Sequence, residues 1–265
     1  MPGNELDMEM DILLCQKTPV PGKPADNVAS ISYVLSNMTE DMAIFPEMFL
    51  TGYGSEFDVG SVTESIERIV SLIGHTGKAV VFGAPHITDE GVSNGLAMIT
   101  PERTFWYDKI HLANFGIYSE ESFIPGNEPV MGRFMGMRFG LSICYDAFFS
   151  ELFREYSTAG ADMNICISAS AVSSKRYFDT VLPARALENV NYLAFVNNIG
   201  DVGGLDMHGC SRAYDPLGTV IATCGNTETS CSVHIDTKLI EESRKERHHL
   251  DDFRNDIPWF SDRSL

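Results

Sequence analysis

The chain reads as an α/β protein with mixed sheets, and three observations predict this. Short apolar runs rich in β-branched and aromatic residues recur along it. Between many of them lie segments with apolar residues three and four positions apart, the spacing of one helix face. Two strand signals, Ser93 to Ile99 and Thr104 to Tyr107, flank the turn-like "TPER", which implies a hairpin and so an antiparallel component.

The elements follow in order. "DILLC" from Asp11 is a strand, and Val28, Ile31, Val34 and Leu35 then mark a helix face. "MAIF" from Met42 is a second strand. Val62, Ile66, Ile69, Val70 and Ile73 mark a second helix, and "AVVFG" from Ala79 a third strand ahead of the hairpin. "FGLSIC" from Phe139 is a strand, followed by a helix on Leu152, Phe153 and Tyr156 with Ser150 as its expected N-cap. "MNICIS" from Met163 is apolar enough to be buried on both faces. Tyr177, Val181, Ala184, Leu187 and Val190 define another helix. Pro183 lies inside that pattern, so the helix is expected to start or kink there. "LAFVNN" from Leu193, "TVIATC" from Thr219 and "CSVHI" from Cys231 complete the strands. "KLIEESRKERHHL" from Lys238 reads as a charged helix. The tail, about residues 248–265 with "IPWF", is expected to pack against the body or a second subunit.

With 265 residues, 44% hydrophobic and 21% charged, the chain can bury a substantial core. Neither a Pro/Ser-rich linker nor a repeat interrupts it, so one domain over residues 1–265 is expected. The 37 acidic against 19 basic residues give a formal charge of -18, which repels phosphate backbones and anionic membranes. Nucleic acid and membrane are therefore not expected partners. No apolar stretch reaches the length of a membrane span, and Met1 to Met10 is acidic, unlike a signal peptide. A cytoplasmic location is expected. Six cysteines (Cys15, Cys144, Cys166, Cys210, Cys224 and Cys231) lack CxxC spacing, so neither a disulfide framework nor a zinc site is expected.

"GLSICYDAFF" sets a thiol, Cys144, at a strand end. To act on an acyl group a thiol needs a base for its proton and a cation or hydrogen-bond donors for the developing oxyanion. "FPEMFLTGYG" places Glu47 just past a strand, with Pro46 ending regular pairing and Gly52 and Gly54 supplying a turn. "YDKIHLANFG" places Lys109 at the end of the second hairpin strand. Alone, each is commonplace: a core thiol, a solvated carboxylate, a surface lysine. Together at strand ends, where α/β sheets bind ligands, they form a candidate constellation. No histidine has papain-like surroundings, and neither GxGxxG after the first strand nor GxxxxGK[ST] occurs.

Six blocks, "FPEMFLTGY", "DKIHL", "SFIPG", "ICYDAFFSE", "ARALENVNYLAFVNNIG" and "YDPLG", follow one another in an order that strongly resembles the nitrilase superfamily, the carbon–nitrogen hydrolases. The resemblance spans nearly the whole chain. It implies a four-layer α-β-β-α sandwich with mixed sheets and no metal or organic cofactor. It implies Glu47 as general base, Cys144 as nucleophile, and Lys109 with the backbone N–H of Tyr145 as oxyanion donors. It also implies a homodimer or larger homo-oligomer, built through helices near the Cys144 loop and the C-terminal tail.

A second glutamate is usual upstream of the "SFIPG" block. In "IYSEESFIPG" ungapped spacing falls on Ser119 and a one-residue deletion on Glu120, which is chosen over Glu121. Many relatives carry an arginine and a proline where this chain has "AFFSE", so the pocket is expected to be more apolar, with Tyr53, Phe148, Ala171 and Val172 as candidate lining. The expected function is hydrolysis of a non-peptide C–N bond in a small amide-like substrate, of amidase or carbamoylase type, through a cysteine thioester. A nitrilase or a thioester-using acyltransferase on the same site, and a non-catalytic binding protein that retains the fold, are the alternatives.

Overall fold

The computed structural model describes residues 7–254 and 256. Its first half runs β1 (Glu9–Gln16), α1 (Pro24–Asn37), β2 (Met42–Ile44), α2 (Val59–Thr76), β3 (Ala79–Thr88), β4 (Gly91–Ile99) and β5 (Thr104–Asp108). Next come β6 (Met131–Phe134), β7 (Met137–Ile143), α3 (Ser150–Thr158), β8 (Met163–Ser168), α4 (Lys175–Asn189) and β9 (Tyr192–Asn197). The chain closes with β10 (Ile199–Val202), β11 (Leu205–His208), β12 (Arg212–Tyr214), β13 (Val220–Thr223), β14 (Thr229–Asp236) and α5 (Thr237–Glu246).

Two six-stranded sheets result, ordered β14-β1-β2-β3-β4-β5 and β13-β12-β9-β8-β7-β6, while β10 and β11 form a separate hairpin. Both sheets are mixed. β1, β2 and β3 run parallel and then meet antiparallel β4 and β5, the expected hairpin. β7, β8 and β9 are parallel between antiparallel β6 and β12.

The layering follows from the two-residue period of a strand. Ala43, Phe45, Val80 and Phe82 pack outward on Val28, Ile31 and Leu35 of α1 and on Val62, Ile69 and Ile73 of α2. Their neighbours Met42, Ile44 and Val81 point inward, joining Leu96 and Met98 against Phe139, Leu141, Ile143 and Ile165 of the second sheet. Leu152 and Phe153 of α3, with Phe178, Leu182 and Ala186 of α4, extend that core over the second sheet's outer face. The architecture is the α-β-β-α sandwich, and each fully buried aliphatic or aromatic side chain in it contributes about 1.5–3 kcal/mol.

Local chemistry sets the element ends. Asp58 caps α2 by accepting from the Ser61 N–H at 2.8 Å, and Gly77 ends it at φ 70°. Several expectations are corrected. Ser150 is the first residue of α3, not its cap: Phe149 holds the cap position and the Ser150 hydroxyl turns toward Glu151. α4 neither starts at Pro183 nor presents the expected face. It begins at Lys175, buries Phe178, Leu182, Arg185 and Ala186, and leaves Tyr177 and Leu187 exposed. A buried arginine on the inner face disguises the period. Its guanidinium donates to the Ala147 and Phe148 carbonyls at 2.8 and 3.2 Å.

Cys224 and Cys231 form a disulfide across the turn between β13 and β14, contrary to the expectation from cysteine spacing, because the turn that carries the chain from the second sheet to the first sets their Cα atoms 5.6 Å apart without any CxxC step. The charged C-terminal helix stops at Glu246 and is followed by a 3-10 turn at His248–Leu250. The "IPWF" tail lies outside the described residues. Among the described residues, no helix is long and apolar enough to cross a membrane.

Candidate active site

Four segments bring the expected residues to one edge of the sandwich. After β2 the chain turns sharply: Met48 adopts φ 50°, and the backbone crosses β3 so closely that a Cβ on Gly83 would lie 2.6 Å from Glu47 Cα. The Gly83 N–H and carbonyl pin this crossing, bonding Pro46 O and Leu50 N at 3.0 Å each. Lys109 follows β5 directly, held by its N–H to Asn94 O and by Gly126 N–H to its carbonyl, both 2.9 Å. Cys144 follows β7 and opens a 3-10 turn, Cys144–Phe148, at φ 49°, a conformation that non-glycine residues occupy only under constraint.

The constraint is Asp146. Its buried carboxylate accepts from Ile143 N–H at 3.0 Å, Tyr107 O–H at 2.7 Å and His111 N–H at 3.0 Å, and contacts His111 Nδ1 at 2.8 Å. The turn that carries the thiol is thus tied to the segment that carries Lys109. The sequence offers Asp146 only as the residue two after the cysteine, with nothing to mark it as buried.

Glu47, Lys109 and Glu120 form a fully buried charge cluster. The Lys109 ammonium donates to Glu47 Oε1 at 2.9 Å and to Glu120 Oε1 at 2.8 Å. Asn94 Nδ2 bridges the same two oxygens at 2.8 and 3.1 Å. Glu47 Oε2 accepts from Ala169 N–H at 2.6 Å, and Asn198 holds the Glu47 carbonyl at 2.9 Å. Glu120 receives Tyr53 O–H at 3.0 Å and Ala113 N–H at 2.7 Å, whereas Glu121 faces solvent. Asn94 is not among the residues read from the sequence. The signal for it was a polar, strand-disfavoured residue inside the apolar run "SNGLAMI".

Burial, then the Glu47 charge, push the Cys144 thiol well above its ordinary value, and Lys109 opposes them only in part. Burial raises the Glu47 carboxyl, with Lys109 opposing and Glu120 reinforcing. For Lys109, burial works against the charge, but Glu47, Cys144 and Glu120 outweigh it and hold the ammonium well above its usual range. The resting arrangement is a protonated thiol near a lysine that remains charged.

Cys144 and Lys109 open onto a cavity of about 200 Å³ lined also by Tyr53, Phe148, Tyr145 and Phe178. Ala171 and Val172 are not among its lining: Ala171 is buried with its N–H on Tyr118 O–H at 3.0 Å, and Val172 is exposed. Tyr118, Phe115 and Tyr177 line it instead, residues with no sequence signal beyond their aromaticity. Among the described residues, no group of three or more His, Cys, Asp or Glu is arranged to hold a metal ion.

A thiol, a buried carboxylate and a buried ammonium at one end of an α-β-β-α sandwich are the furniture of thiol-based acyl chemistry, and the fold is that of the nitrilase superfamily. The chain belongs to the carbon–nitrogen hydrolase family, whose model matches residues 14–245. It is 30% identical over 259 residues to "Hydrolase in pqqF 5'region" of Pseudomonas protegens, covering 94% of this chain and 90% of that one. It is 28% identical over 246 residues to the (R)-stereoselective amidase of a Pseudomonas species, covering 88% of each. The crystal structure of an amidase from Nesterenkonia sp. superposes with a TM-score of 0.78 at 26% identity, over 91% of this chain and 95% of that one.

Proposed function

We propose that the protein hydrolyses the C–N bond of small non-peptide amides through a thioester on Cys144. The observation that carries this reading is that Cys144 and Lys109 line one cavity while Glu47, in contact with Lys109, is sealed from water behind it. Each group then has a role. Glu47 takes the thiol proton as Sγ attacks the amide carbon. The oxyanion of the tetrahedral intermediate is met by the Lys109 ammonium and by the N–H of Tyr145, the second residue of the strained turn. Glu47 passes the proton to the amide nitrogen, the C–N bond breaks and ammonia leaves. Water then attacks the thioester, giving its proton to Glu47. The C–S bond breaks, the thiolate recovers the proton and the acid departs. Glu120, bonded to Lys109 and Tyr53, fixes the ammonium against the carbonyl position.

The amidases among the chain's relatives support the amide over the nitrile as substrate. The test is release of ammonia and the matching acid from a panel of primary amides. Cys144→Ala is expected to abolish release while the circular dichroism spectrum is unchanged. Wild-type turnover in Cys144→Ala would overturn the assignment of the nucleophile.

A further inference from the structure

We propose that the cavity before Cys144 takes uncharged aromatic or aliphatic acyl groups and rejects acyl groups that carry a carboxylate, an inference that rests on Cys144 being the nucleophile. The volume is of the right scale. About 200 Å³ compares with the roughly 150 Å³ void in which a benzene ring can be held.

The wall is a continuous aromatic surface. Phe115 meets Tyr118 and Tyr145 with ring centroids 5.8 and 4.8 Å apart, and Phe148 meets Tyr145 and Phe178 at 5.8 and 5.2 Å. Electron-rich ring faces favour apolar groups and repel anions. Two of the hydroxyls on that wall are already engaged: Tyr53 O–H donates to Glu120, and Tyr118 O–H meets Ala171 N–H and the Ser174 hydroxyl.

No spare cation faces the cavity among the described residues that line it. Lys109 is already shared between the carboxyl groups of Glu47 and Glu120. Nearby cations are turned elsewhere. Arg176 rides on the ring of Tyr177 at 4.5 Å, Lys175 pairs with Asp179 at 2.6 Å, and Arg185 holds the Ala147 and Phe148 carbonyls and Glu188. A substrate carboxylate would lose its water, find no free cation and stand close to two further carboxyl groups.

The experiment compares valeramide and benzamide with succinamate, a carboxylate of similar length to valeramide. Two readouts are taken on the same protein: kcat/KM for ammonia release, and protection of Cys144 from iodoacetamide followed by peptide mass spectrometry. Neutral amides are expected to exceed succinamate by at least about 100-fold in kcat/KM and to protect Cys144 where succinamate does not. Protection by the neutral amides without ammonia release would uphold the pocket's selectivity while sinking the amidase reading. Succinamate within tenfold of valeramide in either readout, or no protection by any of the three, would overturn the inference.

Discussion

At the scale of single residues the site sets activity against stability. In the proposed reaction Glu47 must be ionised to accept a proton, yet burial raises its carboxyl above the ordinary 4.5. The acid limb of kcat/KM is therefore expected above pH 4.5, and activity grows as pH rises through that limb. Stability has the opposite sign. A carboxyl raised in the folded state binds its proton more tightly there than in the unfolded chain. Its stabilising contribution is thus complete below the unfolded value and lost as pH rises through the folded one. Because the Cys144 thiol is also raised, ionisation near its ordinary 9.0 is not what switches the enzyme on, and kcat/KM is expected to stay level from the top of the acid limb through pH 9. An acid limb at the ordinary carboxylate value, or a rate that climbs only near pH 9, would contradict the assignment; a pH–rate profile decides.

At the scale of elements the decisive piece is the 3-10 turn, Cys144–Phe148. Asp146→Asn keeps the size of the side chain but loses the charge that binds Ile143, Tyr107 and His111 together. It is expected to lower kcat about 10–100-fold with KM little changed, since misplacing a nucleophile costs rate more than binding. A purely structural role would lower Tm and leave kcat per folded molecule intact, so both are measured. This turn also shows what the sequence could and could not reveal. The strand "FGLSIC" and the thiol at its end are legible from the apolar run and the block order. The left-handed backbone of Cys144 is not, because a partner nearly 40 residues away, Tyr107, helps impose it. α4 repeats the lesson: its buried Arg185 made the true inner face look polar.

At the scale of the whole molecule, the succession of strand and helix segments made the α/β class readable, whereas the sandwich was implied by the resemblance of the six blocks; in the structure Met42 and Ile44 face one way and Ala43 and Phe45 the other. The Cys224–Cys231 bridge depends on how one turn passes between the two sheets and the lining of the cavity on segments far apart in sequence, and the cysteine and aromatic spacing encodes neither. The layer between the sheets has its own tight point. Gly132 on β6 lies against Met98 on β4, and a Cβ there would overlap the Met98 sulfur. Gly132→Ala is expected to cost about 1–3 kcal/mol and to lower kcat, with Gly132→Ala/Met98→Ala recovering part of both. Additive losses in that double-mutant cycle would show that the contact is not shared.

Glu47 follows a strand of the first sheet and Cys144 a strand of the second, so the proposed base and nucleophile approach each other only when the two sheets have docked. Recovery of turnover after dilution from denaturant thus times the closing of the sandwich. A far-ultraviolet signal that regains its native value before activity returns would reveal chains with both sheets formed but the seam still open.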